Sequence, residues 1–253
     1  LDPRLYEQLL ELEQNHWWFR GRRAVLMAAL QRTGSKARTK ARTVLDCGCG
    51  AGGNLDILKA QYPNSEIHGV DIERGPLSVY HGELSSAYQA DAARLPFGCD
   101  AFDVVSALDS IEHVEDDARA LSELHRVCRP GGSLLLSAPA FGFLWGNVDD
   151  AGHHFRRYTR DQLAQRVRAA GFEISLLRYF NFLLFPPIAA IRLLARVLPK
   201  RPEKDGDDVS TDFDIVKDGP LNELLARVFS FEARLLGIRI PFGVSILVVG
   251  RKP

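Results

Sequence analysis

Carboxylates and histidines stand at the ends of several short apolar runs of this sequence, where a folded chain could gather them for binding or proton transfer. Val44 and Leu45 run into Asp46-Cys47-Gly48-Cys49-Gly50-Ala51-Gly52-Gly53, and a helical pattern begins at Asn54. Closely spaced glycines between a strand and a helix let the backbone approach a ligand at the carboxyl edge of a sheet. The spacing is Asp-x-Gly-x-Gly-x-Gly, not the G-x-G-x-x-G that cradles a pyrophosphate. Asp71 closes the next apolar run, roughly twenty residues on, where a carboxylate accepts hydrogen bonds from ribose hydroxyls. Asp91, followed by Ala92, closes a third run, and an acidic side chain there can accept from the amino group of a base.

Two histidine segments follow. One is Asp109-Ser110-Ile111-Glu112-His113; the other is Gly152-His153-His154-Phe155-Arg156-Arg157-Tyr158-Thr159. Histidine titrates near neutral pH, so His113, His154 and His153 are candidate general bases, with helix-start or packing roles as the alternative. Asp149 and Asp150 beside the second segment invite a metal reading. The pattern lacks helical ligand spacing, and no metal is expected. The Arg156-Arg157 pair could meet an anionic acceptor or cap a solvated helix end.

These residues need a scaffold that brings strand ends together. Thr43–Asp46, Glu66–Asp71, Ala87–Asp91, Phe102–Leu108, Ser133–Ser137, Glu173–Leu177 and Val244–Val249 read as strands. Helical patterns lie between them over Asn54–Gln61, Leu77–Ser85, Asp116–Cys128 and from Thr159, a natural N-cap, to Gly171, a natural C-cap. Pro130-Gly131-Gly132 reads as a turn. Alternating strands and helices predict a mostly parallel seven-stranded α/β sheet of Rossmann-like type, with helices on both faces.

The chain divides into an N-terminal helical segment (1–42), a core (43–178), a helical insertion (179–241) and a final core strand (242–253). Leu5–Leu30 reads as helical with a break near Gly21 and an aromatic knot at Trp17-Trp18-Phe19. Residues 202–219 are charged and poor in apolar groups, as in a mobile loop. Lys plus Arg and Asp plus Glu both number 32, so no net field favours nucleic acid as a partner. Cys47 and Cys49 are too close for an ordinary disulfide, and no signal peptide is visible, so a cytoplasmic location is expected.

Taken in order, the Asp46–Gly53 turn, Asp71, Asp91-Ala92-Ala93-Arg94-Leu95-Pro96-Phe97, Phe102-Asp103-Val104-Val105 and Pro130-Gly131-Gly132 resemble the motif series of class I methyltransferases, particularly the type called methyltransferase 11. The resemblance spans Thr43 to Phe172. It implies S-adenosylmethionine as methyl donor and S-adenosylhomocysteine as product. It also implies a site of Asp46, Gly48, Cys49, Gly50 and Gly52 on the first turn, Asp71 at the ribose, and Ile72, Asp91 and Ala92 at the adenine. Asp109 would stand near the methionine end. His16-Trp17-Trp18-Phe19-Arg20-Gly21-Arg22-Arg23 resembles an entry segment that folds over the donor, with an aromatic, Trp18 the candidate, as cover and one of its arginines, Arg20 the candidate, as partner of the carboxylate; the competing reading is that the tryptophans only pack the first helix onto the sheet.

The implied reaction is an in-line displacement onto an O, N or C atom of a small molecule. Alternatives are a protein or nucleic-acid methyltransferase and a non-methylating protein that binds the same donor. No Asn-Pro-Pro-Tyr-like signature of base methylation is present. The density of apolar residues from Phe180 to Leu194 predicts a helical cap over the acceptor pocket and an acceptor with a hydrophobic portion. A homodimer interface, an extra core layer or weak membrane association through 179–200 are the competing readings.

Overall fold

The computed structural model describes residues 12–32, 41–74, 86–197, 216 and 218–253. The expected helix over Leu77–Ser85 and most of the 202–219 loop lie outside the described residues. The sheet strands are β1 (Thr43–Cys47), β2 (Glu66–Asp71), β3 (Ser86–Gln89), β4 (Phe102–Leu108), β5 (Cys128–Pro139), β6 (Glu173–Phe180) and β7 (Ser245–Arg251). They form one seven-stranded sheet in the order β3-β2-β1-β4-β5-β7-β6. All neighbours pair in parallel except β7, which is antiparallel to both β5 and β6. The fold class expected from the sequence is therefore found.

Val44, Leu45, Val104, Val105 and Leu134 to Leu136 are buried because the central strands are covered on both faces. Around the sheet lie α1 (Trp17–Arg32), α2 (Leu55–Gln61), α3 (Asp117–Val127), α4 (Asn147–Ala151), α5 (Arg160–Ala169), α6 (Phe185–Val197) and α7 (Gly219–Leu235). The Asp116 side chain accepts from Arg119 N at the start of α3. Thr159 and Gln162 form a reciprocal capping box at α5. Leu121, Leu124 and Val127 of α3 and Leu163 and Val167 of α5 enter the same core.

Two expectations need correction. Pro130-Gly131-Gly132 does not turn the chain out of the sheet: β5 runs through it, with a register irregularity opposite Phe102 to Val104. Gly131 N donates to Lys252 O and Lys252 N to Gly132 O, so the far end of the chain holds this stretch in line. Gly21 does not break its helix either. A side chain there would collide with the ring of Phe229, 2.2 Å from the Cβ position. Its bareness lets α7 lie close on α1, where the Asn222 side chain bridges Trp17 N and Asn15 O.

The insertion packs on the rest of the chain through both of its helices. Phe229 of α7 is fully buried beside Phe180 and α1, so α7 adds a layer to the core. Phe185 of α6 packs on Phe141, Phe143 and Phe242 with ring centroids 5.1–6.2 Å apart. None of the described residues of 179–241 lines the cleft described next. Among the described residues, no helix is long and apolar enough to cross a membrane.

Candidate active site

The strand order reverses between β1 and β4, and a cleft of about 960 Å³ opens there at the carboxyl ends of β1, β2 and β4. Its floor is the glycine turn. Gly48 N and Cys49 N both donate to Val70 O, at 2.7 and 3.0 Å, which folds the turn over the end of β2. Gly48 has φ +74°, and a Cβ there would sit 2.4 Å from Ser110 Cβ, so position 48 demands glycine twice over. Gly50 faces open space, and its N–H donates to Asp71 Oδ2 at 2.8 Å. Asp71 Oδ1 accepts from Glu73 N at 3.0 Å. Two backbone donors thus hold the Asp71 carboxylate at the cleft wall.

Gly48, Cys49, Gly50, Asp71, Ile72, Asp91, Ala92 and Asp109 line the cleft, as does Trp18. Ile72 is 65% exposed, an apolar face offered to the cleft. Asp91 Oδ1 accepts from Ala93 N at 2.8 Å, which orients the carboxylate at the cleft. Asp46 and Gly52 stand behind this lining. Asp46 is fully buried and accepts from Ser106 Oγ at 2.8 Å, and burial pushes its carboxyl up to about 6. It buttresses the turn from within.

Arg20 differs from expectation. It binds Glu223 on α7 and does not line the cleft. Arg22 does: it is buried, donates to Asp109 and to Asn54 Oδ1 at 2.8 Å, and lies over the Trp18 ring at 5.5 Å. Glu13 lines the cleft too, against Gly53, with one carboxylate oxygen unpartnered. Burial pushes its carboxyl up to about 7.

This donor and acceptor set fits S-adenosylmethionine. Asp71 and Asp91 offer acceptors for hydroxyl and amino groups, and Ile72 and Ala92 offer an apolar bed. The unpartnered Glu13 oxygen suits a cationic group, and the space before Gly50 admits a close ligand.

The histidines converge at the rim. His113 and His153 line the cleft, and His154 stands just behind, its ring edge-to-face with His113 at 4.4 Å. His113 Nδ1 meets Gly152 O at 2.6 Å, and His154 Nδ1 meets Asp149 Oδ1 at 2.8 Å. A carbonyl oxygen only accepts, so His113 carries hydrogen on Nδ1 and keeps a lone pair on Nε2. Burial and the neighbouring His154 lower the His113 pKa and favour that neutral form. Burial works against the charge of Asp149, but hydrogen bonds from His154 and Arg157 outweigh it and hold the carboxyl at about 2.

Glu112, buried beneath the pair, has one carboxylate oxygen without a hydrogen-bond partner. Burial, and then the charge of Asp109, raise its pKa well above the usual carboxylate range. Arg156 and Arg157 are engaged with Asp117 and Asp149. Asp150 accepts from Trp145 Nε1 at 2.8 Å, so the two aspartates weighed as ligands from the sequence are already occupied.

Residues 18–177 match the methyltransferase domain family, and the chain belongs to that family, within the S-adenosylmethionine-dependent class. The chain is 29% identical over 173 residues to a probable S-adenosylmethionine-dependent methyltransferase of Mycolicibacterium smegmatis, covering 64% of this chain and 62% of that protein. It is 31% identical over 159 residues to a ubiquinone biosynthesis O-methyltransferase of Pseudomonas paraeruginosa, covering 55% of this chain and 68% of the relative. The fold matches a solved S-adenosylmethionine-dependent methyltransferase of Thermotoga maritima with a TM-score of 0.59 and 17% identity, covering 99% of this chain and 96% of the other.

Proposed function

We propose that the protein transfers a methyl group from S-adenosylmethionine to an oxygen atom of a small molecule with a hydrophobic portion. The observation that carries this reading is the meeting of two half-sites in one cleft. The glycine turn forms the floor with Asp71 and Asp91 beside it, and the His113 ring stands at the rim. The donor supplies an electrophilic methyl on a sulfonium. The protein aligns the acceptor, excludes water and takes up its proton.

The Nε2 lone pair left free on His113 supports a role in taking that proton, and His154, held by Asp149, backs the ring. Phe155, 52% exposed at the cleft, with Phe19 and Val114, offers apolar surface to the acceptor. The ubiquinone relative, named as an O-methyltransferase, supports an oxygen acceptor on a hydrophobic molecule.

Cys47, Cys49, Cys99 and Cys128 are all free thiols, which suits a reducing compartment and supports a cytoplasmic setting. Ile191, Leu193 and Leu194 on α6 are exposed and support a homodimer or a weak membrane contact there. Mass spectrometry of products from a panel of hydrophobic phenols and quinols tests the reading. Methylated product should form, and His113→Gln should cut turnover by about 10²–10⁴-fold while donor binding persists. Donor binding with no methylated product from any acceptor would favour a binding protein over an enzyme.

A further inference from the structure

The geometry points to a divalent-cation site formed by Glu112, His113 and His154 at the acceptor rim of the cleft. One ligand-type atom from each of the three lies within 4.8 Å of the other two. Ligand atoms bound at about 2.1 Å to one ion stand roughly 3–4 Å apart, so closing on an ion needs side-chain movements of about 1 Å or less.

Three features separate this cluster from a chance grouping. First, both imidazoles are oriented by partners outside the cluster: His113 by Gly152 O and His154 by Asp149. A ligating histidine needs this support, with one ring nitrogen donating to a carbonyl or carboxylate and the other free for the metal. Second, Glu112 is only 1% exposed, and one of its oxygens has no hydrogen-bond partner. A buried polar oxygen left unpaired is costly, and a cation between it and the imidazoles would remove that cost. Third, the grouping is tied by the backbone, since Phe155 N donates to Glu112 O at 2.8 Å and so brings the segment bearing His154 against the one bearing Glu112 and His113.

Two imidazoles and one carboxylate suit Zn²⁺, Fe²⁺, Co²⁺ or Ni²⁺ better than Mg²⁺ or Ca²⁺. Three protein ligands leave at least one position open, and His113 lines the cleft, so that position is reachable from the acceptor side. With a cation bound, His113 Nε2 is a ligand and no longer the base; if the reading in the previous section holds, an acceptor hydroxyl entering the open position would have its pKa lowered by the ion and release its proton to water. The cation site itself does not depend on that reading.

The test is a Co²⁺ titration of the full chain after dialysis against a chelator, with neither donor nor acceptor present, followed by visible absorption and then displacement by Zn²⁺. One equivalent should bind. Glu112→Gln and His113→Ala should each weaken binding at least 10-fold. Asp149→Asn, which leaves all three ligands in place but loosens His154, should weaken it by roughly 10–100-fold. Thermal melts and donor affinity verify that each variant is folded.

No Co²⁺ binding, or binding unchanged in both folded Glu112→Gln and His113→Ala, overturns the proposal. Methyl transfer by a chain that binds no Co²⁺ would leave the functional reading standing and remove only the cation site. Co²⁺ binding without methyl transfer would do the reverse.

Discussion

Replacing Asp71 with alanine should weaken binding of S-adenosylmethionine and S-adenosylhomocysteine by the same factor. The carboxylate offers roughly four lone-pair positions. Gly50 N and Glu73 N occupy one each, at 2.8 and 3.0 Å, so about two remain for ligand hydroxyls. A hydrogen bond to a charged acceptor contributes about 1.5–3 kcal/mol, so losing even one of the two should lower the affinity by roughly 10- to 150-fold, which sets the least effect expected of alanine. Donor and product share the ribose, so both should lose equally, whereas damage near the methyl would separate them. Loss of the Gly50 bond should also cost the fold about 1 kcal/mol, seen as a small fall in Tm. Asparagine should be no milder, because its amide NH₂ would face one of the two backbone N–H donors. Calorimetry with both ligands gives the answer. A folded Asp71→Ala variant that binds either ligand within twofold of the original would refute the assignment.

Arg22→Met should weaken donor binding at least about tenfold, because Asp109 and Asn54 lose the cation that orders them at the cleft; Arg20→Met should leave affinity within about twofold. Equal losses in the two variants, read by the same calorimetry, would contradict the placement of these arginines. Burial pushes the Glu232 carboxyl from 4.5 to about 7, against hydrogen bonds from the backbone at Leu183, Phe182 and Asn181. The native state therefore holds this proton more tightly than the unfolded chain. The contribution is full below about pH 4.5 and is lost as pH rises through 7, so Glu232→Gln should be more stable than the original at pH 8 by about 1–3 kcal/mol, with the gap closing toward pH 5. Urea denaturation at both pH values checks this, and a difference independent of pH would refute it.

The parallel core was legible in the sequence because strands covered on both faces must be apolar almost throughout. β1, β2 and β4 fall where the runs ending in Asp46, Asp71 and Leu108 place them. β3 is an edge strand with alternating partial exposure, and it was placed one residue late at its start. The misreadings share a cause. Pro130-Gly131-Gly132 has turn chemistry, and Gly21 has the look of a helix breaker, but each answers to a distant partner. For the first that partner is Lys252; for the second it is Phe229. Local propensity weighs only neighbours in the chain, and a tertiary contact can reverse it.

The cofactor floor was legible for a similar reason: each acidic residue closes a strand, so the sheet itself gathers Asp71 and Asp91 to one edge. The arginine was not, yet a signal was there. Once Trp18 is taken as the residue over the cleft, helical periodicity puts position 22 on the same face and position 20 on the far side. The cation above the Trp18 ring is indeed Arg22. The histidine rim had no such signal. Glu112 and His113 are adjacent, but His154 joins them only because Gly152 O, Asp149 and the Phe155–Glu112 backbone bond fold one loop against another. Loop-to-loop pairing has no period. Helical ligand spacing tests only for groups carried on one element, and this rim joins residues from two.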